Sequence, residues 1–361
     1  MIPKIGPITA KNLIAYVGSY EGIFAEKESI LKKIPGVGPI LAKYIKKPEI
    51  FKNAQDELEF VKRYNIKTLF YLDENYPNRL KECVDAPILL YYKGDTDFNT
   101  KKMISIVGTR KSTPYGKEVC ENIVKSLAEK KHNPIIVSGL AFGIDICAHR
   151  AALKNGLQTI AILGHGLDII YPAVHKATAI DIINNGALVT EFGRNSIRDK
   201  KNFVRRNRII AGLTDATIVI ESAVKGGALI TADIANSYNR EVFAVPGNIK
   251  NTYSMGCNKL IKINKAALIE TSDDIEYLLG WEIPVNKTVR QQKELIPDLT
   301  SGEQKIIDLL KTDKTLNIDI ISLKSGLTIS ESSALLLELE FKNLIKSLPG
   351  KIYKLNDHYY N

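Results

Sequence analysis

From Met103 onward, short apolar β-type runs alternate with amphipathic segments, and this pattern limits the possible folds more than any other feature. The runs are "MISIVG", "NPIIVSG", "LQTIAILG", "ALVTEF", "DATIVIES" and "EVFAVPG"; "YGKEVCENIVKSLAEK", "GIDICAHRAALKNG", "HKATAIDIINNG" and "GGALITADIANSYN" lie among them. Strands that read as continuous apolar runs are buried on both faces, and helices between them make the pairing parallel. The pattern predicts a doubly wound, mainly parallel α/β sheet, whose ligands bind at the carboxyl ends of the strands.

Those ends carry "GTRKSTPYG" (108–116), "SGLAFGID" (138–145), "LGHGLD" (163–168), "FVRRNR" (203–208) and "KGGALIT" (225–231). Glycine lets a ligand approach the backbone, serine and threonine donate hydrogen bonds, and arginine adds a planar fork of donors, so the edge has the composition of an anion cradle. Arg205, Arg206 and Arg208, with Asn207, precede an apolar segment and are expected at a helix start, gripping phosphate. Packing or an internal carboxylate is the alternative use for at least one of them. No GxxxxGK[ST] occurs, and no GxGxxG follows a strand with an acidic residue about 20 positions on, so neither a P-loop nor a dinucleotide site is indicated. Asp145 and His149, four apart, have the spacing of a metal or acid/base pair but also of capping and packing residues. Glu191 and Asp168 follow strands and are further acid/base candidates, yet no nucleophile–base arrangement can be assembled from the order of residues. The edge reads as a binding site with no catalytic residues, metal or cofactor.

The net charge of +10 and pI of about 9.1 favour a polyanionic partner. The four cysteines show no CxxC spacing and read as buried thiols. No apolar run is long enough to span a bilayer, and the N-terminus lacks signal-peptide order, so a cytoplasmic protein without membrane contact is expected.

At the N-terminus, "IPKIGPITAKNL" (2–13) and "IPGVGPILAKYI" (34–45) share seven of twelve positions. Each copy has a glycine (Gly6, Gly38) before a proline suited to the first helical turn, and the pair resembles the helix-hairpin-helix module. The first copy has Lys4 where the second has Gly36. A small packing or protein-binding helical domain is the other reading. Residues 281–299 are polar with two prolines and read as a linker. Beyond them, three helical segments and "KSLPGKIYKL" resemble a winged-helix domain, whose third helix carries Glu331, Glu338 and Glu340; that charge favours a protein-contact role over groove binding.

Together "VGTRKSTPYG", "SGLAFGIDICAHRAAL", "ILGHGLDIIYP", "FVRRNRIIAGL", "GGALITADIA", "EVFAVPGNI" and "GCNKLIK" resemble, in order, the DNA-processing family DprA/Smf. The resemblance implies an extended Rossmann-like domain at about 66–280, a helix-hairpin-helix domain at 1–65 and a winged-helix domain at 300–361. It further implies a non-enzymatic, homodimeric single-stranded-DNA-binding protein that protects incoming strands and loads the RecA recombinase in natural transformation. By position, the family's basic pocket maps to Gly108, Thr109 and Arg110, with Arg206, Asn207, Arg208 and the loop through Gly226, Gly227 and Thr231. Ser138, Gly139, Arg205 and Lys225 complete the candidate DNA-binding set; Phe142 stands where many relatives carry lysine and could stack on a base or pack against its loop. The alternative is a Rossmann-like hydrolase acting on a nucleoside monophosphate. It is disfavoured because "KGGALIT" lacks the proline before its glycines and an acidic residue soon after Thr231.

Overall fold

The strand Met103–Val107 is buried along its whole length, with Met103 and Val107 in one hydrophobic core and Ile104 and Ile106 in another. Successive side chains leave a strand on opposite faces, so this run belongs to a sheet covered by helices on both sides. The computed structural model describes residues 2, 4–196, 199–281, 299–313, 315–342, 344–348 and 350–356. The chain divides into two units, residues 1–283 and 284–361.

The first unit opens with helices α1 (Pro7–Val17), α2 (Tyr20–Ala25), α3 (Glu28–Leu31), α4 (Pro39–Ile45) and α5 (Pro48–Arg63). The internal repeat is structural: Gly6 and Gly38 cap α1 and α4 with the same extended ψ of 175°. Lys4 adopts a φ of 65°, close to the 82° of Gly36, so the lysine takes the turn conformation its glycine counterpart takes without steric cost.

Nine strands follow: β1 (Lys67–Phe70), β2 (Leu89–Gly94), β3 (Met103–Val107), β4 (Ile135–Ser138), β5 (Thr159–Ile162), β6 (Gly186–Thr190), β7 (Ala216–Val219), β8 (Glu241–Ala244) and β9 (Ala267–Leu268). They form one sheet in the order β1-β2-β6-β5-β4-β3-β7-β8-β9. Every pairing from β6 to β9 is parallel, while β1 and β2 extend the sheet antiparallel beyond β6. These two strands come from the stretch before Met103, outside the alternating pattern of the sequence.

Helices α6 (Asn78–Lys81), α7 (Pro114–Glu129), α8 (Ile144–Lys154), α9 (Lys176–Asn184), α10 (Lys200–Leu213), α11 (Gly227–Ser237), α12 (Met255–Lys262) and α13 (Ser272–Leu278) flank the sheet. Ile209, Ile210 and Leu213 of α10 and Ala228, Ala232 and Ala235 of α11 fill one core; Cys120, Ile123 and Leu127 of α7 and Ile144 and Ala148 of α8 fill the other. Helix α10 begins at Lys200, where the Asp199 side chain accepts from the Lys201 amide at 3.1 Å. The arginine cluster therefore lies in the second and third turns, which corrects the expectation that it opens the helix.

Trp281, at the edge of the expected linker, is buried in the second core, and Lys102 Nζ lies 5.2 Å from its ring centroid. Leu299, at the other edge, packs on the second unit's core, and linker positions 282–298 lie outside the described residues. That unit comprises α14 (Ser301–Asp313), β10 (Thr315–Asn317), α15 (Ile318–Ser325), α16 (Ile329–Phe341), β11 (Ile345–Leu348) and β12 (Ile352–Leu355), with sheet order β10-β12-β11. This is a winged-helix arrangement around Ile306, Leu310, Ile321, Leu336 and Leu339. Two of the three glutamates on α16 have structural partners. Glu331 completes a capping box with Thr328, and Glu340 accepts from the Ser347 hydroxyl at 2.6 Å.

Candidate nucleic-acid interface

The strand order reverses between β3 and β7: chain connections run one way through β4, β5 and β6 and the other through β8 and β9. The loops leaving the two strands diverge and open a crevice. A cavity of about 710 Å³ lies there, lined by Gly108, Thr109 and Arg110 after β3, Arg206 and Asn207 from α10, and the start of α11.

Two of the loops that line it, 108–110 and 138–143, are pressed backbone on backbone. Gly143 has a φ of +80°, and a Cβ there would stand 2.1 Å from the Thr109 carbonyl oxygen, so only glycine lets the 138–143 loop lie against the 108–110 loop. A Cβ on Gly139 would meet Arg206 Nη1 at 2.2 Å, so that glycine makes room for the guanidinium.

Helix starts attract anions, but those of α7, α8 and α10, after β3, β4 and β6, already have a carboxylate. At α7, the Thr113 amide and hydroxyl donate to buried Glu221 at 2.9 and 2.5 Å. Asp145 lies in the first turn of α8, and Asp199 caps α10. Helix α11 differs: Gly226 caps it without a side-chain hydrogen bond, and its first turn has no acidic residue. Its leading amide groups open on the cavity beside Gly227 and Thr231.

The arginines divide among three environments because successive helical residues point about 100° apart. Arg206 is 3% exposed, and its Nη1 donates to the carbonyl oxygens of Gly139 (2.7 Å) and Ile162. Burial lowers its pKa to about 10, with Asp145 opposing that shift and Arg110 adding to it. Burial likewise raises the pKa of Asp145, against the pull of Arg206. These two groups form a charged layer beneath the cleft. Arg205 and Arg208 point to another flank, where both donate to Glu191 Oε2, at 2.8 and 2.6 Å. Arg208 is buried and also donates to the Asp85 carbonyl. Arg205 remains partly exposed above the Phe192 ring.

Among the described lining residues, Arg110 and Lys200 are exposed cations outside any ion pair found. Arg110 lies 5.9 Å from the centroid of the Phe203 ring, which neighbours Tyr171 at 5.8 Å. Lys200, Phe203 and Tyr171 are additions to the expected set. The aromatics stood inside quoted motifs, but Lys200 gave no signal because its placement depends on where α10 begins. Other expected members differ in position. Ser138 is fully buried, its hydroxyl donating to the Ile106 carbonyl at 2.6 Å. Lys225 is exposed just before the α11 cap. Phe142 is 47% exposed on its loop, edge-on to His175 at 5.0 Å.

The Asp145/His149 spacing serves the interior. His149 is fully buried, and its Nδ1 is 2.7 Å from the Thr159 hydroxyl, which donates to the Ile136 carbonyl and so accepts from the imidazole. Burial drives the His149 pKa down to about 3. Among the described residues, no group of three or more acidic, histidine or cysteine side chains has metal-site geometry. Glu191 is consumed by its two arginines, and the Asp168 carboxylate accepts from the Asn195 amide. No single described helix is long and apolar enough to cross a membrane.

A crevice at a Rossmann-type switch point, with an uncapped helix start facing exposed cations, gives this α/β protein the geometry of an anion cradle. Residues 67–280 match the family model for DNA recombination-mediator protein A, residues 290–351 the DprA winged-helix domain, and residues 1–47 a SAM-like helix-hairpin-helix tandem. Protein Smf from Synechocystis is 32% identical over 390 residues, covering 98% of this chain and 96% of that protein. The chain belongs to the DNA recombination-mediator protein A (DprA/Smf) family. The solved DNA processing protein A of Streptococcus pneumoniae superposes with a TM-score of 0.64 at 33% identity, covering 76% of this chain and 98% of that one. The Helicobacter pylori protein, described for its single-stranded DNA binding mode, gives a TM-score of 0.54 at 31% identity over 60% of this chain and 96% of that one.

Proposed function

We propose that the switch-point cleft binds the backbone of unpaired DNA, one phosphate resting on the α11 start and neighbouring phosphates facing Arg110 and Lys200. The observation that carries this reading is that the α11 start, unlike those of α7, α8 and α10, lacks an acidic neighbour and faces an open cleft with exposed cations. Phe203 and Tyr171 inside the cleft, and exposed Phe142 next to the lining residue Ala141, offer faces for unstacked bases, a sequence-tolerant contact. Asn207, Thr231 and Lys225 assist as polar or cationic neighbours, while Arg206 and Arg208 shape the site from within.

In this reading the protein holds incoming single strands and passes them to the RecA recombinase, without catalysing a reaction, as a cytoplasmic homodimer. The relatives' DNA-processing names and the single-strand binding mode of the H. pylori protein support it. Strand β9 ends the sheet with Leu268 exposed and Ile263 exposed nearby, an apolar edge suited to a second copy. Exposed Leu337 and Phe341 beside the glutamates of α16 fit a protein-contact role for the winged helix.

Fluorescence anisotropy with labelled oligo-dT and a duplex of equal length, across a salt series, tests the reading. Tighter, salt-sensitive binding of the single strand with little sequence preference is the expected result; equal binding of both forms overturns it.

A further inference from the structure

The motif "GTRKSTPYG" ends in Gly116, which lies in the first turn of α7 and outside the lining of the cleft. A Cβ there would stand 2.2 Å from Glu221 Oε2, so the glycine makes room for a carboxylate that arrives from β7. Glu221 is 1% exposed. Its carbonyl accepts from the Thr109 amide at 2.7 Å, and its carboxylate accepts from the Thr113 amide at 2.9 Å and the Thr113 hydroxyl at 2.5 Å. One buried residue therefore pins the 108–113 loop at both ends. Between the pins, Arg110, Lys111 and Ser112 have no regular secondary structure. The support beneath is itself held on both sides. The Ile220 amide donates to the Val107 carbonyl at 3.1 Å, prolonging the β3–β7 pairing, and the Ser222 amide donates to the Tyr253 carbonyl at 2.6 Å. The chain then turns through a bond from the Gly226 amide to the Ala223 carbonyl, at 2.9 Å, into the start of α11.

We propose that Glu221 is a positioning residue for strand binding, which fixes the 108–113 loop so that Arg110 is held at a set distance from the α11 start. The inference rests on the cleft reading above. Neither Glu221 nor Thr113 lines the cleft, so both act through the loop that carries Arg110. A loop ordered before the strand arrives spares binding the entropy of ordering it.

Fluorescence anisotropy of the full-length protein with labelled oligo-dT tests the role. Thr113→Val removes the hydroxyl link without changing charge, and Glu221→Gln removes the carboxylate. Each should weaken binding about threefold to tenfold, the size of one lost hydrogen bond, and neither should weaken it further in an Arg110→Ala background. Thr113→Ser, which keeps the hydroxyl, should recover the affinity lost in Thr113→Val. In hydrogen–deuterium exchange without DNA, peptides covering 108–113 should lose protection in Thr113→Val and Glu221→Gln, while those of the second unit keep theirs. Thermal melts check that each variant is folded, and Thr113→Val carries the test if Glu221→Gln does not fold. Unchanged affinity in Arg110→Ala overturns the cleft reading and this role with it. A weakened Arg110→Ala beside unaltered Thr113→Val and Glu221→Gln, equal losses with and without Arg110, or retained protection of 108–113 overturns the positioning role alone.

Discussion

Replacing Arg206 separates a structural role from a phosphate contact. Its guanidinium is buried, satisfies the Gly139 and Ile162 carbonyls, and faces the buried Asp145 carboxyl. Arg206→Met leaves those acceptors without a donor and Asp145 without its opposing charge. Leaving two buried carbonyls without their donor and a buried carboxyl without an opposing charge costs about 3–5 kcal/mol in all. At roughly 2–4 °C per kcal/mol for a unit of this size, the midpoint of thermal unfolding should fall by roughly 6–20 °C. Asp145→Asn with Arg206→Met removes both charges and should recover part of that loss, so the double variant is more stable than the two single effects summed. Circular dichroism melts of the four proteins measure this. An Arg206→Met protein that melts like the wild type but loses a phosphate contact's worth of salt dependence would refute the assignment.

Other consequences follow from neighbouring groups. Glu191→Gln should cost about 3 kcal/mol, because it strips the counter-charge from buried Arg208, and should leave the salt dependence of DNA binding intact; urea denaturation and anisotropy check the two halves. His149 has a folded-state pKa lowered from 6.5 to about 3, so the neutral form stabilises the fold above pH 6.5. That stability is lost as pH falls through this window, at about 1.4 kcal/mol per unit, and His149→Gln should flatten this part of the stability–pH curve. Gly143→Ala places a Cβ 2.1 Å from the Thr109 carbonyl at a φ of +80°; it should cost about 1–3 kcal/mol and weaken single-strand binding by displacing the 108–110 loop.

Much of the architecture was legible because buried parallel strands read as unbroken apolar runs, as "MISIVG" and "DATIVIES" do. The cleft's location followed, since a doubly wound sheet binds at its carboxyl edge. The roles of individual arginines did not. They depend on helix phase, and α10 starts at Lys200 in a polar stretch where no apolar period marks the boundary. They depend also on partners distant in sequence: Glu191 for Arg208, and Gly139 and Ile162 for Arg206. Strands β1 and β2 are only partly buried and so lack the unbroken apolar signature of the parallel strands. The equivalence of the two hairpins was legible in their shared residues, but the left-handed turn at Lys4 was not, since a lysine carries no signature of that backbone.

The most direct test of the central claim is the slope of log affinity against log salt for single-stranded oligo-dT, compared among wild type, Arg110→Ala, Lys200→Ala and Arg208→Ala. Each lost phosphate contact should reduce the magnitude of the slope by about 0.7. Arg110→Ala and Lys200→Ala should each show that reduction, while Arg208→Ala keeps the wild-type slope despite its lower stability. A normal slope in the first two variants, or a reduced slope in Arg208→Ala alone, would move the strand off the switch-point cleft and contradict the account.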